Sequence, residues 1–368
     1  MSKVVFKASS SESAGKRFHA VVTKIAGMAT AAFLAISATA SPASADPKYA
    51  GIVVDARSGK VLYSEDADSL RYPASLTKMM TLYLTFEALE AKRISLTSPV
   101  PVSQHAASEP PSKLGVRPGG AVTVEQAILA LVTRSANDMA TALGELIGGS
   151  EARFAQMMTN KAHALGMTRT TYRNANGLPN TAQMTTARDQ ARLGLALRQH
   201  FPQYYGYFST RSFTFGKQVI GNHNRLLGNV RGVDGIKTGY TRAAGFNLVT
   251  SAQADGRSIV GVVMGGKSGG ARDQQMRNLV ATYMPQATRG PVRESDQIAA
   301  IRPASPVAEE PSRPAATSVA AAPSLAKVAA STAPALPATA PVPENRYSAD
   351  SDAKSAYVAQ LSQAQIKV

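Results

Sequence analysis

The stretch Tyr72–Met80 reads Y-P-A-S-L-T-K-M-M, and the rest of the chain is best read outward from it. Pro73 marks a boundary, and the residues beyond it keep a helical pattern to about Leu89, so Ser75 is expected in the first turn of a helix. On a helix, positions i and i+3 share a face, which brings the Lys78 amine within reach of the Ser75 hydroxyl. A serine hydroxyl is a poor nucleophile until a base takes its proton. Lys78 can be that base only when neutral, a state favoured by burial and by a second cation nearby. The opening turn of the helix would also aim free N–H groups and positive dipole at the same place. The spacing alone is weak, because Ser13–Lys16, Ser324–Lys327 and Ser351–Lys354 repeat it in leader-like or low-complexity surroundings.

On the N-terminal side, Tyr49–Ser64 reads as two β-rich runs around an Asp55–Gly59 turn, a hairpin. From about Val122 to His200 the pattern is mainly helical. Ile128, Leu129, Leu131 and Val132 mark one helix, and Ala140, Leu143, Leu146 and Ile147 the next. Ala155–Leu165 and Ala187–Leu197 look like two more, with Asn176-Gly177-Leu178-Pro179 as a turn between them. Strand character returns at Arg211–Phe215, Gly235–Thr238, Phe246–Ala252 and Ser258–Met264, with Asp255-Gly256 as a hairpin turn. A last helix covers about Arg272–Tyr283. Strands at both ends of a helical middle predict an α+β domain over residues 46–285, its sheet closed by both chain termini and the helical part inserted beside it as a lobe.

The flanks read differently. Lys3, Lys7, Lys16, Arg17 and Lys24 precede an apolar run from Ile25 to Ile36, and Ala43-Ser44-Ala45 stands before Asp46. That order predicts a cleavable signal over residues 1–45 rather than an uncleaved anchor, since the run is well short of the ~20 residues a span needs. Export to the periplasm or cell envelope follows. Residues 286–346 are rich in Ala, Pro, Ser and Thr and read as an extended linker. The tail 347–368 carries Tyr357, Leu361, Ala364 and Val368 at helical spacing, either frayed chain or a short helix for peripheral membrane contact.

With no cysteine, disulfides, thiolate metal sites and a cysteine nucleophile are excluded. The five histidines lie far apart in sequence and no H-E-x-x-H helix exists, so no metal is expected. Gly265-Gly266 and Gly269-Gly270 fit neither a dinucleotide nor a phosphate loop, and no cofactor is expected. Of the formal charge of +16, about +4 lies in the first 45 residues and about +1 after residue 285, leaving about +11 on the folded part. Such a surface suits anionic wall polymer or phospholipid, or is simply Arg-rich; export and the lack of any nucleic-acid motif argue against nucleic acid.

Two further motifs change the weight of the first. Ser135-Ala136-Asn137 falls between two helices of the lobe, and Lys237-Thr238-Gly239 ends a β-like run. The order serine–lysine, S-x-N, K-T-G is that of class A β-lactamases and penicillin-binding proteins. Ser135 can relay a proton between Lys78 and a leaving amine, and Asn137 can bond a substrate amide. Lys237 would keep the field positive and Lys78 neutral, Thr238 would meet a substrate carboxylate, and Gly239 would let an extended substrate lie on the strand. Taken singly, Ser135 and Asn137 are as well explained as caps of a helix starting near Asp138, and Lys237 as a solvated strand-end charge.

The chain resembles the D-alanyl-D-alanine carboxypeptidases, the low-molecular-weight penicillin-binding proteins of serine peptidase family S11, over roughly residues 48–285. Pro73-Ala74, Asn222-His223-Asn224, Val233-Asp234-Gly235-Ile236, Gly245-Phe246-Asn247-Leu248 and Val263-Met264-Gly265-Gly266 extend the likeness beyond the three motifs. The resemblance implies a β-lactamase/DD-peptidase-like fold, an antiparallel sheet flanked by helices. It implies Ser75 as the acylated nucleophile, Lys78 as proton acceptor, Ser135 as third active-site residue, and Lys237 as a substrate contact. It implies an oxyanion hole from the N–H groups of Ser75 and Tyr240, with Thr238 and a nearby arginine holding the substrate carboxylate. Arg272 falls in a matching place. Family members can carry Arg where this chain has His223, which leaves Arg225 and Arg272 both as candidates for that contact. The implied partners are peptidoglycan stem peptides, with β-lactams as covalent inhibitors. Class A β-lactamases hold their hydrolytic water with a glutamate; Thr171 to Pro179 holds no carboxylate, so peptide turnover with slow release of penicillin is expected. A DD-endopeptidase, or a wall- or β-lactam-binding module with little turnover, is the alternative.

Overall fold

Apolar runs from opposite ends of the chain meet in one sheet. The computed structural model describes residues 48–290. In chain order these form β1 (Ala50–Asp55), β2 (Val61–Glu65), α1 (Thr77–Glu90), β3 (Pro99–Pro101), α2 (Gln104–Ser108), β4 (Ala121–Thr123), α3 (Val124–Thr133), α4 (Asn137–Gly148), α5 (Glu151–Ala164), α6 (Ala187–His200) and α7 (Pro202–Tyr205). They continue with β5 (Ser212–Phe215), β6 (Gln218–Gly221), β7 (Val233–Thr241), β8 (Gly245–Ala254), β9 (Arg257–Gly266) and α8 (Gly269–Tyr283). The main sheet has the order β2-β1-β9-β8-β7 and is antiparallel throughout. The first and last strands of the described residues therefore meet where β1 pairs with β9, and the α+β architecture is the one expected.

The sheet is covered on both faces, which is why its strands read as almost continuous apolar runs. Ile52, Val54, Val249, Val260 and Val262 pack with Ala191 and Leu195 of α6. Their neighbours Val53, Leu248, Ile259 and Val263 pack with Met276, Leu279 and Val280 of α8. α1 is buried from Thr77 through Phe86, its Thr77, Thr81 and Thr85 included, because α3, α4, α5 and α6 surround it. It runs through the helical lobe and carries Lys78 into the interior.

Several boundaries moved, each for a local reason. Ser75 lies not in the helix but in a 3-10 turn, Ala74–Leu76, immediately before α1. α5 begins at Glu151 and α8 at Gly269, ahead of expectation, because the Ser150 and Ser268 hydroxyls accept from the Arg153 and Ala271 N–H groups. β5 falls on the expected Arg211–Phe215 run, whereas its partner β6, the β3–β4 ribbon and α2 were too short to announce themselves. The folded part reaches past residue 285: Ala287 is fully buried and the Thr288 N–H donates to Asp55 Oδ2 at 2.9 Å. The expected signal segment, the linker after residue 290 and the 347–368 tail lie outside the described residues.

Candidate active site

Two non-glycine residues with left-handed backbone flank the site, Ala74 (φ 48°) and Ser135 (φ 60°). Each costs about 1–3 kcal/mol and persists only where the surroundings enforce it. Around Ala74 the enforcement is visible. Asn247 Nδ2 donates to the Tyr72 and Pro73 carbonyls at 3.0 and 3.1 Å, while its Oδ1 accepts from the Gly265 N–H at 3.0 Å. A Cβ on Gly177 would lie 2.0 Å from the Ala74 oxygen, and one on Gly239 would lie 3.0 Å from the Ser75 nitrogen. β7 thus presses against the nucleophile turn at Gly239, a demand for glycine that the sequence reading, which had only room for substrate in view, did not include. In the sequence Asn247 stands out only as part of the Gly245-Phe246-Asn247-Leu248 likeness, with no role attached to it.

Lys78 is fully buried, and its amine has three oxygen partners. They are Ser75 Oγ at 3.2 Å, Asn137 Oδ1 at 2.7 Å and the Asn176 main-chain carbonyl at 2.5 Å. The amide orientation of Asn137 follows from its other end, where Nδ2 donates to the Pro110 carbonyl at 2.8 Å. Two of the three partners can only accept. A neutral amine has two N–H groups for them and one lone pair left, which faces the Ser75 hydroxyl. Burial, then the charge of Lys237, hold the Lys78 pKa well below its ordinary value, against the opposing pull of Glu109 and Asp138.

Lys237, also buried, donates to Ser135 Oγ at 3.0 Å and to the Thr238 carbonyl at 2.9 Å. Burial and Arg272 bring its pKa down to about 7. A solvated strand-end charge is therefore the wrong description. The Ser135 hydroxyl is joined to Lys237, where the sequence reading had put it beside Lys78. Nor do the S-x-N residues cap α4: its N-cap is Ala136, with no side-chain bond. Asn137 lines the cleft with its oxygen on Lys78 and one Nδ2 hydrogen on Pro110, which leaves its second amide N–H for a substrate.

A cleft of about 770 Å³ opens over Ser75, bounded by the S-x-N corner on one side and by β7, the edge strand of the sheet, on the other. Thr238, Gly239 and Tyr240 line it, and the half-exposed Tyr240 ring packs on Phe246 at 4.2 Å between centroids. Arg272 reaches this cleft but is committed: it pairs with buried Asp273 at 2.7 Å and donates to the Asn247 carbonyl at 3.1 Å. Arg225 lines the same wall, exposed, with no ion-pair partner among the described residues. His223 stands between asparagines that lock their own loop; loss of water on its inner side, then the charges of Lys237, Arg134, Lys78 and Arg272, push its pKa down to about 4.

Behind Asn176 the fold gathers three residues that sequence reading left apart. His105, Glu109 and Glu151 have donor atoms within 4.8 Å of one another. These atoms are hydrogen-bonded within the protein: His105 Nε2 to Glu151 Oε2 at 2.9 Å, Thr141 Oγ1 and Asn176 Nδ2 to Glu109 Oε1 at 2.8 and 3.0 Å.

A family model described as D-alanyl-D-alanine carboxypeptidase, peptidase family S11, matches residues 37–268. The chain belongs to this family. The D-alanyl-D-alanine carboxypeptidase DacC of Escherichia coli (strain K12) is 39% identical over 238 residues, 63% of this chain and 60% of that protein. The match thus spans less than two thirds of that relative's own length. Among solved structures, the D-alanyl-D-alanine carboxypeptidase DacD from Francisella tularensis is 31% identical with a TM-score of 0.61, over 63% of this chain and 69% of that one. Penicillin-binding protein D2 from Listeria monocytogenes, in its cefotaxime-bound form, is 29% identical with a TM-score of 0.57, over 63% of this chain and 96% of that one. This S11 member has the fold of those proteins, and the three motifs converge on one cleft.

Proposed function

We propose that the protein is a serine-type D-Ala-D-Ala carboxypeptidase acting on peptidoglycan stem peptides. The observation that carries this is the buried Lys78 amine, with two obligate acceptors and the Ser75 hydroxyl as its three partners, an arrangement that in the neutral amine leaves the lone pair for Ser75. The stem peptide lies extended between β7 and the S-x-N corner. Its terminal carboxylate is held by Lys237, Thr238 and the unpaired Arg225, with Arg272 supporting the field from its pair with Asp273. Ser75 Oγ attacks the penultimate carbonyl as its proton passes to Lys78. The N–H groups of Ser75 and Tyr240 stabilise the oxyanion, a reading supported by how closely β7 approaches the Ser75 nitrogen at Gly239.

As the C–N bond breaks, the leaving nitrogen takes a proton from the Ser135 hydroxyl, which Lys237 replenishes. Water then attacks the ester. Its proton returns to Ser135 and Lys237, and Lys78 gives its own back to Ser75 Oγ, so the cycle closes. Among the described residues Asp273, tied to Arg272, is the one carboxylate lining the cleft, which supports slow release of a penicilloyl group. β-Lactams would acylate Ser75 in the same cleft. The basic, apolar, A-x-A order of residues 1–45 supports an exported protein of the periplasm or envelope.

Penicillin labelling of wild type and Ser75→Ala, scored beside D-alanine release from a synthetic pentapeptide, tests this. Label on wild type alone together with D-alanine release is expected. Label without release would favour a binding module, and faster cutting of a cross-linked dimer than of the pentapeptide would favour an endopeptidase.

A further inference from the structure

The two obligate acceptors on Lys78 are braced by one short segment that no motif includes. The Pro110 carbonyl accepts from Asn137 Nδ2 at 2.8 Å, and the Ser112 carbonyl accepts from the Asn137 N–H at 2.7 Å. One residue earlier, Glu109 Oε1 accepts from Asn176 Nδ2 at 3.0 Å. Glu109 is only 8% exposed, and neither the sheet nor the cleft uses it. A carboxylate held that deep needs hydrogen bonds to offset its lost hydration, and it finds them in Asn176 and Thr141.

We propose that Glu109 is a positioning residue for the base: by anchoring the Asn176 side chain it keeps the Asn176 carbonyl on one Lys78 N–H, and thereby keeps the amine's lone pair on the Ser75 hydroxyl. This rests on the assignment of Ser75 and Lys78 above. Other bonds hold the neighbours of residue 176 in this turn: Thr81 Oγ1 donates to the Ala175 carbonyl at 2.6 Å, and Gln183 Oε1 accepts from the Arg173 and Asn174 N–H groups. Asn176 Oδ1 is spent inside the turn on the Leu178 N–H at 2.9 Å, so its side chain reaches the lobe through Nδ2, which donates at 3.0 Å both to Glu109 Oε1 and to Thr141 Oγ1, a hydroxyl that itself donates to Glu109. Glu151 supports from behind, accepting from the Ala175 N–H at 3.0 Å while His105 holds its other oxygen at 2.9 Å.

The charge of Glu109 acts on Lys78 in the opposite direction to its geometry. Lys78 faces Lys237, Glu109 and Asp138, and Glu109 in turn faces Glu151, His105 and Lys78. A negative Glu109 raises the proton affinity of Lys78, so removing that charge moves the loss of the Lys78 proton to lower pH.

The test measures D-alanine release and penicillin acylation across pH for wild type, Glu109→Ala, Glu109→Gln, Asn176→Ala and the double variant Glu109→Ala/Asn176→Ala, with melting temperatures alongside. Glu109→Ala should lower kcat roughly 10- to 100-fold with KM little changed, the scale of a misplaced reacting group. Glu109→Gln, whose amide oxygen can accept the same two bonds, should recover most of that loss and shift the acidic limb of the profile to lower pH. The double variant should be no slower than the slower single, because both substitutions cut one link. Wild type that takes no label at Ser75 would overturn the underlying assignment and this proposal with it. Labelled wild type with an equally fast Glu109→Ala, additive losses in the double variant, or a Glu109→Gln as impaired as Ala with its acidic limb unmoved would overturn the proposal alone.

Discussion

Gly177→Ala probes how the nucleophile turn is held. At φ 88° an added Cβ would sit 2.0 Å from the Ala74 oxygen, 2.5 Å from its carbonyl carbon and 3.0 Å from the Ser75 nitrogen. Two costs arise and can be separated. The left-handed backbone disfavours any L side chain by about 1–2 kcal/mol. The clash is additional, and either the Ala74–Leu76 turn or the Asn176–Leu178 turn must retreat by about 1 Å before the contact is one that real Cβ atoms tolerate. Retreat of the first displaces Ser75; retreat of the second takes the Asn176 carbonyl off Lys78. A 1 Å misplacement costs about 100-fold in rate, or about 2.7 kcal/mol of barrier. Gly149→Ala is the control, with φ 78° and nothing within 4 Å of its added Cβ. The second-order rate of acylation by a fluorescent penicillin, read with the melting temperature, distinguishes them. Gly149→Ala should lose stability and keep its rate; Gly177→Ala should lose about two decades of rate as well. A Gly177→Ala enzyme that acylates within an order of magnitude of Gly149→Ala would refute the claim that this contact positions the nucleophile.

Lys237 makes stability depend on pH. Its folded pKa of about 7 is below the ordinary 10.5, so between those values the unfolded chain binds more protons and stability must rise with pH. Lys78 shifts in the same direction and adds to the rise. The urea midpoint of wild type should therefore increase from pH 7 to pH 9, and less so in Lys237→Met; equal slopes would contradict a depressed Lys237. The two arginines of the cleft should separate cleanly. Arg272→Ala strands buried Asp273 and should cost about 3–5 kcal/mol in denaturant unfolding. Arg225→Ala, at an exposed site, should change stability by about 0.5 kcal/mol or less while raising KM for a substrate with a free terminal carboxylate. The reverse pattern would return the carboxylate contact to Arg272.

What the chain's residue order determines by itself is local or periodic. The three motifs are legible because their chemistry needs particular side chains, and the α+β architecture is legible because a sheet buried on both faces writes apolar runs such as Phe246–Ala252 and Ser258–Met264. The pairing of each polar group with its partner is a different kind of fact. Asn176 and Lys78 are 98 residues apart, and Ser135 and Lys237 are 102 apart. No periodicity encodes such a contact, so whether Ser135 would serve Lys78 or Lys237 was decided by where the corner before α4 meets the Lys237 side chain of β7. The packing demand on Gly239 was hidden for the same cause, since it comes from the backbone of a turn more than 160 residues upstream. Glu109 was invisible because a carboxylate before a proline resembles any surface loop until the fold buries it against Asn176 and Thr141. Side-chain type follows from sequence; which lone pair faces which proton follows from packing.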